Sequence, residues 1–440
     1  MTIRSFMRTL GIAGALSTLA TTACNLDEIL EVTPTGLIPA GGLEIPSNAA
    51  ILVAGVAADF DCAFGSYVVV TGMIGEELDD ALQTAARWPY DQRMILANQT
   101  FYATNSCTGI GIYTPLQTAR VSANNIRRLL EGWTDVEVGP RRVEHIARVA
   151  VYEGWSTLLL GEAFQESALS TVTGEQVNYA PRIPRTQVLQ DAIAQLTLAI
   201  TTAQGLGTVV GDSIVNFARV GRARAYHNLN DMANARTDAA AVPAAFVWSS
   251  TASDVTSRRS NRVWSQSNAT SVAATVGPRY RTLNDPRVPV EPLLTSGGAQ
   301  RSNALGVELW AQEKYLTAAS SLPIAQGAEM QLLIAEADRS TNSTNTVNII
   351  NTFRTAGNQG NYAGATDAAS LLTEIIDQRR RALWLTGTHF GDVVRYNLTV
   401  TPAAGASAPW NQDYGPDTGA QLLMPLPEVE ILNNPAISGS

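Results

Sequence analysis

The sequence IIDQRRRALWLTGTHFGDVVRY, residues 375–396, is the most distinctive stretch of the chain. Its three successive arginines, residues 379–381, point to different faces of one predicted helix. Some of them can pair with internal carboxylates such as Asp392 or Glu336, while Trp384 fills the core. Because the arginines are embedded among apolar residues, the stretch predicts a structural ion-pair network rather than a phosphate site.

Helical segments surround this stretch, and they come in pairs. A hairpin is predicted over residues 223–239, where small side chains lie at positions at which two helices must approach closely. A second pair covers residues 330–337 and 347–353, and a further pair begins near Leu371, with Gly387 ending its first helix. The pattern predicts a mainly α fold of irregular tetratricopeptide-like helical repeats.

Two longer helices are predicted earlier in the chain. Apolar residues over 143–160 cover most of a helix surface, and Gly161 can end that helix in the left-handed conformation. Pro184 and Thr186 introduce another amphipathic run that reaches Ile200. Both segments extend the helical fold toward the N-terminus.

Residues 247–307 differ in composition from the helical segments. They are rich in Ser, Thr, Asn and Arg and show few sustained hydrophobic periods. Insertions in helical repeat proteins commonly map to one face, which is often the binding face. We therefore expect a loop-rich, ligand-facing subdomain here, and residues 401–419 are likewise loop-like.

The first residues have the form of a secretory signal. Arg4 and Arg8 precede a short apolar stretch, residues 10–20, and Cys24 follows a small residue as in a lipobox. This arrangement predicts that Cys24 is lipidated and becomes the first mature residue. Thr21 stands where most lipoboxes have leucine, so a plain signal peptide with an incidental cysteine is the alternative.

These features predict the division of the chain into domains. We expect a lipoprotein signal peptide over residues 1–23, a lipidated tether over 24–47, and a helical-repeat domain over 48–440 with the loop-rich insertion inside it. No later segment approaches the ~20 apolar residues that a spanning helix needs, so the acyl chains on Cys24 would be the only membrane anchor.

Composition and sequence motifs exclude several classes of function. The formal net charge of −9, without a basic stripe, would repel phosphate backbones, so nucleic acid is not an expected partner. Lys314 is the only lysine, and no phosphate-cradling GxxxxGK[ST] loop is present. His145, His227 and His389 have no second ligand at the spacing of a local zinc motif. Since no GxSxG elbow is present either, we expect no metal, no cofactor and no catalysis.

Two C-terminal stretches, with the lipobox and the helical repeats, resemble the SusD/RagB family. Residues 375–396 are similar to the family's "ERRRELWLEGHRFFDLRRW" run. Residues 422–435, LLMPLPEVEILNNP, are similar to its closing "LFPIPQSEIDLNP". Weaker similarities occur at residues 147–161 and 329–337, so the matches are scattered over most of the mature chain. Gln378 departs from the family pattern, which usually has glutamate there.

The resemblance implies both an architecture and a role. It implies a stack of helix pairs supporting an irregular, ligand-facing half. It also implies a surface-exposed, lipid-anchored outer-membrane protein that binds an oligosaccharide, or sometimes a peptide, and delivers it to a SusC-like TonB-dependent transporter. A helical-repeat scaffold that binds only proteins is the alternative, and a secreted helical glycoside hydrolase is a second one.

Aromatic residues outside the strong helices are the candidate ligand-binding residues. Flat rings stack on the apolar faces of sugars, while nearby amide, guanidinium and carboxylate groups satisfy the hydroxyls. The candidates are Trp88, Tyr90, Tyr102, Trp248, Trp264, Tyr280, Trp410 and Tyr414, with Asn98, Arg279 and Asn411 as polar neighbours. A single aromatic residue of this kind is more often a packing residue than a ligand-binding residue. We assign Trp155, Tyr226 and Trp384 to the core.

Two cysteines and an acidic stretch carry further expectations. With Cys24 acylated, Cys62 and Cys107 remain as one possible disulfide pair or as two separate buried thiols. The carboxylates of residues 76–80 could suggest a glycosidase or calcium site, but neighbours in sequence rarely face each other across a cleft, and the EF-hand spacing is absent. We expect a solvated turn and helix start there.

Overall fold

A computed structural model of the chain describes residues 40–82, 84, 86–104, 107–174, 176–268, 270, 272–304, 306–400 and 422–438. The predicted signal peptide and Cys24 lie outside the described residues, as do Trp410, Asn411 and Tyr414. The lipidation of Cys24 and the ligand-binding role of those C-terminal residues therefore stay predictions.

The chain divides into two units, residues 1–45 and residues 46–440. In the first unit, the described residues form one short helix, Ala40–Leu43 (α1). All other helices and strands of the described residues belong to the second unit. The predicted boundaries of signal peptide, tether and helical-repeat domain stay predictions.

The second unit is mainly helical. Its helices are Ala49–Ile74 (α2), Trp88–Gln92 (α3), Tyr113–Gly132 (α4), Asp135–Val138 (α5), Arg142–Ala163 (α6), Arg185–Gln204 (α7), Val209–Asn228 (α8), Met232–Ala240 (α9), Arg262–Gln266 (α10), Pro278–Arg281 (α11), Gly327–Asp338 (α12), Ser343–Ala356 (α13), Ala368–Ala382 (α14), His389–Tyr396 (α15), Glu428–Asn433 (α16) and Pro435–Ser438 (α17). Short 3₁₀ helices cover Pro46–Asn48, Phe101–Ala103 and Ser257–Arg259. The predicted mainly α fold is confirmed.

The strands are short and pair two at a time. They are Leu78–Asp80 (β1), Glu166–Ala168 (β2), Thr171–Thr173 (β3), Gln176–Asn178 (β4), Arg182–Pro184 (β5), Val247–Ser249 (β6), Ala274–Val276 (β7), Val290–Pro292 (β8), Trp310–Gln312 (β9) and Pro323–Gln326 (β10). The antiparallel pairs are β1 with β7, β2 with β5, β3 with β4, β6 with β10, and β8 with β9. Several of these pairs lie within or border the loop-rich insertion.

The helix pairs predicted from the sequence are present. Helices α8 and α9 form the hairpin predicted over residues 223–239, and the Asp231 side chain accepts a hydrogen bond from the backbone N–H of Asn234 to begin α9. Asn230 has a φ of 63°, which asparagine tolerates better than most residues. Helix α12 packs on α13 and α14 on α15. The tetratricopeptide-like repeat is thus confirmed.

Helices α6 and α7 approach each other closely through two glycines. A Cβ atom on Gly154 would lie 2.7 Å from Leu196 Cγ, and one on Gly161 would lie 2.8 Å from Leu189 Cδ2. Helix α6 continues past Gly161 to Ala163, so the prediction that Gly161 ends the helix is wrong. The glycine is needed for helix packing, because a side chain there would occupy the space that a leucine of α7 fills.

Helix α2 is the apolar centre of the second unit. Every residue over 63–74 is buried by the rest of the fold. The segment Pro46–Ile74 is also long and apolar enough to cross a membrane, so the expectation that no later segment approaches that composition is wrong. The burial of its second half within the protein explains this composition, because a core helix is apolar on all sides.

The arginines of residues 375–396 form the predicted network. Arg379 Nη2 lies 2.8 Å from Asp392 Oδ1, and both residues are buried. The two arginines that follow Arg379 pair with Asp377. Arg395 lies 3.2 Å from Glu336, the other carboxylate predicted as a partner. The prediction of a structural ion-pair network is confirmed.

The second C-terminal motif closes the fold against the end of α6. The backbone N–H of Met424 donates to the carbonyl of Ala163 at 2.9 Å, and the carbonyl of Met424 accepts from the N–H of Gln165 at 2.9 Å. Met424 thereby forms a parallel bridge with Phe164. The motif satisfies backbone groups at a helix end, where no intrahelical partner is available.

The acidic stretch 76–80 is buried, and the prediction of a solvated turn there is wrong. All four of its carboxylate side chains are at most 5% exposed. Burial raises the pKa of Glu77 to about 7 and that of Asp79 to about 6. Arg87 lies 3.8 Å from Asp80, and Arg281 lies 4.0 Å from Asp79. The carboxylates enter the core because guanidinium groups from later segments accompany them.

Candidate ligand-binding face

Three of the candidate aromatic residues lie in the core. Tyr90 and Tyr102 have no exposed surface, and Tyr280 is 1% exposed. The Tyr90 hydroxyl donates to the carbonyl of Ile110 at 2.6 Å. The Tyr280 ring stacks on Trp384 with ring centroids 6.0 Å apart. These three rings pack against other side chains, so they are not available to stack on a ligand at the surface.

Trp248 fastens the loop-rich insertion to the helices. Its ring stacks on Phe217 of α8, with centroids 4.6 Å apart and an angle of 7° between the planes. The guanidinium of Arg148 lies 5.6 Å from the Trp248 ring centroid. Because Trp248 is engaged by both partners, we assign it to packing rather than to ligand binding.

Trp264 and Trp88 are the remaining described candidates, and both are half-buried. Trp264 is borne by α10, which Asn261 begins by accepting a hydrogen bond from the Trp264 backbone N–H at 2.8 Å. The Asn261 amide also donates to the carbonyl of Ser320 at 2.7 Å, which fixes the start of α10. The Trp264 indole packs in part against the hydrophobic core, and among the described residues no aromatic ring or cation stacks on it.

Arg262 links α10 to the segment before α4. Its guanidinium donates to the carbonyls of Thr108 and Gly109, the latter at 2.8 Å. Burial, together with the positive charge of Arg87, lowers the pKa of Arg262 to about 10, so the side chain remains protonated at neutral pH. Gly65 of α2 permits the close approach, because a Cβ atom there would lie 3.1 Å from Arg262 Cβ.

A disulfide bond holds the same segment against α2. Cys62 is bonded to Cys107, with the two Cα atoms 5.2 Å apart. Asp61, which directly precedes Cys62, accepts hydrogen bonds from the backbone and the hydroxyl of Thr251, at 2.8 and 2.6 Å. Burial raises the pKa of Asp61 to about 6, although the Thr251 hydrogen bonds oppose this effect. The loop-rich insertion is therefore fastened to α2 at several points.

Arg87 joins the two helices that carry the candidate tryptophans. It directly precedes Trp88 at the start of α3, and its guanidinium donates to the Gln266 side chain of α10. It also donates to the carbonyl of Ala273 at 3.0 Å. We call the surface formed by Trp88, Trp264, Arg262 and Thr108 the Trp264 face.

Arg262 of the Trp264 face also lines a cavity, and this cavity is small. Its volume is about 20 Å³, and its lining includes Asp61, Arg262 and the disulfide bond. A single water needs roughly 10–15 Å³ by the same measure, so the cavity has room for one or two waters. A sugar bound at the Trp264 face would therefore lie on the surface, against the exposed part of the indole ring.

The other polar candidates lie elsewhere in the fold. Asn98 is exposed and lines a groove against α16, and Arg279 lines a pocket beside α14 and α15. Neither residue lines the cavity of the Trp264 face. Among the described residues, no group of three or more His, Cys, Asp or Glu could hold a metal ion.

The sequence interpretation missed Arg262 of the Trp264 face and Asn261, which begins α10. Asn261 and Arg262 lie three and two residues before Trp264 in the loop-rich insertion, and neither was among the candidates. An asparagine three residues before a tryptophan is a helix-start pattern that could have predicted α10. The carbonyls that Arg262 binds come from a segment more than 150 residues earlier, and no local pattern indicates that contact.

Comparison with known proteins identifies the fold. No protein-family model matches the chain, and no curated protein matches it. Among solved structures, a SusD superfamily protein from Bacteroides vulgatus superposes with a TM-score of 0.65 at 13% identity, covering 89% of this chain and 97% of that chain. The chain has the SusD fold. The resemblance stated from the C-terminal motifs is confirmed at this level.

Two further proteins with the SusD fold have names that refer to carbohydrate. A SusD-like carbohydrate-binding protein from Bacteroides vulgatus has a TM-score of 0.63 at 14% identity, covering 81% of this chain and 84% of its own. Surface glycan-binding protein A from Bacteroides uniformis has a TM-score of 0.63 at 12% identity, covering 87% and 98%. The SusD fold thus extends over nearly the whole of these relatives.

Proposed function

We propose that the protein binds an oligosaccharide on the Trp264 face and does not hydrolyse it. The half-buried indole of Trp264, on which no aromatic ring or cation of the described residues stacks, is the observation that carries the proposal. Its exposed part offers an apolar platform for a sugar ring, and the polar residues Thr108 and Asn268 belong to the same region. The names of two proteins with the same fold support a carbohydrate as the ligand.

We further propose that the protein acts at the outer surface of the outer membrane. Lipidation of Cys24 would anchor it there, and a SusC-like TonB-dependent transporter would receive the bound ligand. The sequence motifs and the SusD fold support this role. Metabolic labelling with a palmitate analogue tests the anchor, since labelling of the wild type but not of Cys24→Ala is expected. Co-purification of a TonB-dependent barrel with the full chain tests the partner.

The binding proposal is tested by calorimetry on the mature protein without Cys24, using a panel of oligosaccharides and peptides. We expect saturable binding of at least one oligosaccharide and no hydrolysis product. Trp264→Ala should weaken that binding by about tenfold or more, because truncating a central aromatic anchor removes most of its contact area. Trp310→Ala is the matched control, since Trp310 is also half-buried but lies on β9.

The outcomes separate the competing interpretations. Turnover of any panel member would overturn the noncatalytic assignment. Equal weakening by the two tryptophan substitutions would place the ligand elsewhere on the protein. Absence of ligand binding, together with capture of a protein partner, would support the helical-repeat scaffold instead.

A further inference from the structure

A second pocket lies among the repeat helices and shares no lining residue with the cavity of the Trp264 face. Its volume is about 450 Å³, within the range of small-ligand sites. Its lining residues are Arg185, Asn228, Asn230, Glu336, Arg339, Leu372, Val394, Arg395 and Tyr396. We call it the arginine pocket.

The arginine pocket has an excess of positive charge, although the chain as a whole carries a net charge of −9. Three arginines and one glutamate line it. Glu336 is already committed, because it lies 2.8 Å from His227 Nε2 and 3.2 Å from Arg395, and it accepts from the Tyr396 hydroxyl at 2.6 Å. Burial would raise the pKa of Glu336, but these partners hold it well below its usual range. The negative charge of Glu336 is therefore neutralised by Arg395.

Arg185 and Arg339 have no carboxylate within ion-pair distance among the described residues. Arg185 Nη2 donates to the Asn228 side chain at 2.9 Å, and Arg339 Nη1 donates to the backbone carbonyl of Glu336. Each guanidinium therefore retains donors that these contacts do not use. The carboxylate of Glu162, which influences Arg185, is bound by Arg224 through two hydrogen bonds of 2.7 Å.

Burial of a guanidinium group in this pocket is energetically unfavourable when no anion is bound. Burial lowers the pKa of Arg185, although Glu162 and Tyr67 oppose this effect, and its Nε lies inside the protein with no hydrogen-bond partner among the described residues. Two guanidinium groups in one pocket match a carboxylate, which accepts paired N–H donors. The Asn230 side chain adds a neutral group suited to hydroxyls, whereas the Asn228 amide is bonded to Glu162 and to the Arg224 carbonyl.

We propose that the arginine pocket binds a small polyhydroxy carboxylic acid, such as a uronic acid, with its carboxylate between Arg185 and Arg339. A hydroxyl of the ligand meets the Asn230 amide, and the apolar sides of its ring meet Leu372 and Val394. This site goes beyond the proposed function, because it is separate from the Trp264 face and takes a charged ligand.

Calorimetry on the mature protein tests the proposal with glucuronate and galacturonate as probes. We expect at least one of them to bind, and to bind more weakly as sodium chloride is raised from 50 to 300 mM, because salt screens the attraction. Glucose, which lacks the carboxylate, should show no comparable binding. Inorganic phosphate serves as the second anion, and binding of phosphate as tight as that of the uronates would overturn the assignment to a carboxylic acid.

Arginine substitutions locate the binding. Arg339→Met and Arg185→Met should each weaken uronate binding by roughly tenfold or more, as expected for loss of a charge-assisted hydrogen bond. Arg128→Met is the matched control, because Arg128 also has no carboxylate within ion-pair distance in the described part of the chain and donates instead to Val172 and Thr173 at the surface. Arg339→Met removes a hydrogen bond to the Glu336 carbonyl and also one of three neighbouring positive charges, so its effects on stability oppose each other and a folded protein is expected for the measurement.

Ligand binding in the arginine pocket and ligand binding on the Trp264 face should be independent of each other. Trp264→Ala should leave uronate binding unchanged, and Arg339→Met should leave oligosaccharide binding unchanged. The imidazole NMR signal of His227, which contacts Glu336 in the pocket wall, should shift on uronate addition, whereas that of His145 should not. Uronate binding that survives both arginine substitutions, or absence of any uronate binding, would refute the proposal.

Discussion

At the scale of single residues, paired charges determine how polar side chains are accommodated in this core. Arg379 and Asp392 are both buried and lie 2.8 Å apart, and the acidic stretch 76–80 is buried beside Arg87 and Arg281. Removing one member of such a pair leaves a buried charge with no counter-charge. The consequence differs greatly from the loss of a solvent-exposed pair.

Arg379→Met is expected to lower the free energy of unfolding by ~3–5 kcal/mol, because Asp392 would remain buried without its partner. Arg380→Met is the control, since Arg380 and Asp377 are both partly exposed and such pairs contribute ~0–1 kcal/mol. Urea unfolding followed by circular dichroism measures both changes. Equal effects of the two substitutions would contradict the assignment of Arg379 to a buried ion pair.

At the scale of elements, the close contact between α6 and α7 depends on two positions of α6 that have no side chain. Gly154 and Gly161 lie seven residues apart and therefore on the same side of the helix, as do Leu189 and Leu196 of α7. The four residues form a seam in which each leucine occupies the space over a glycine. The close approach is a property of the pair of helices, so neither sequence segment indicates it alone.

Gly154→Ala tests this seam. Although alanine favours helix formation, its Cβ would lie 2.7 Å from Leu196 Cγ, so we expect a loss of ~1–3 kcal/mol in unfolding free energy from overpacking. Gly132→Ala in α4 is the control, because nothing lies within 4 Å of its Cβ position, and a gain of up to ~1 kcal/mol is expected. A stabilising Gly154→Ala would show that the helices are free to separate without cost.

At the scale of the whole molecule, the Cys62–Cys107 bond ties the segment that supports α10 to the central helix α2. The bond closes a loop with a sequence separation of 45 residues, for which chain-entropy arguments give a contribution of about 4 kcal/mol. Cys62→Ser with Cys107→Ser should therefore lower the urea midpoint. It should also weaken oligosaccharide binding, whereas uronate binding in the arginine pocket should persist. Loss of both binding activities would indicate global unfolding rather than loosening of the Trp264 face.

More of the architecture than of the binding site could be predicted from the sequence. Helix pairs follow from local apolar spacing, and the C-terminal motifs indicated the fold that the structural comparison confirmed. The burial of Tyr90, Tyr102 and Tyr280 depends on residues distant in sequence, so each resembled a surface platform. The acidic stretch 76–80 was misplaced for the same reason, because its guanidinium partners come from other segments.

The bridge between Met424 and the end of α6 has a consequence for the timing of maturation. Synthesis proceeds from the N-terminus, yet Gln165 donates a side-chain hydrogen bond to a carbonyl 258 residues later in the chain. Until that last portion has been synthesised, α6 ends in backbone groups without their final partners. The newborn chain can therefore complete this part of its fold only after its final residues have arrived, whatever the order in which the earlier helices form.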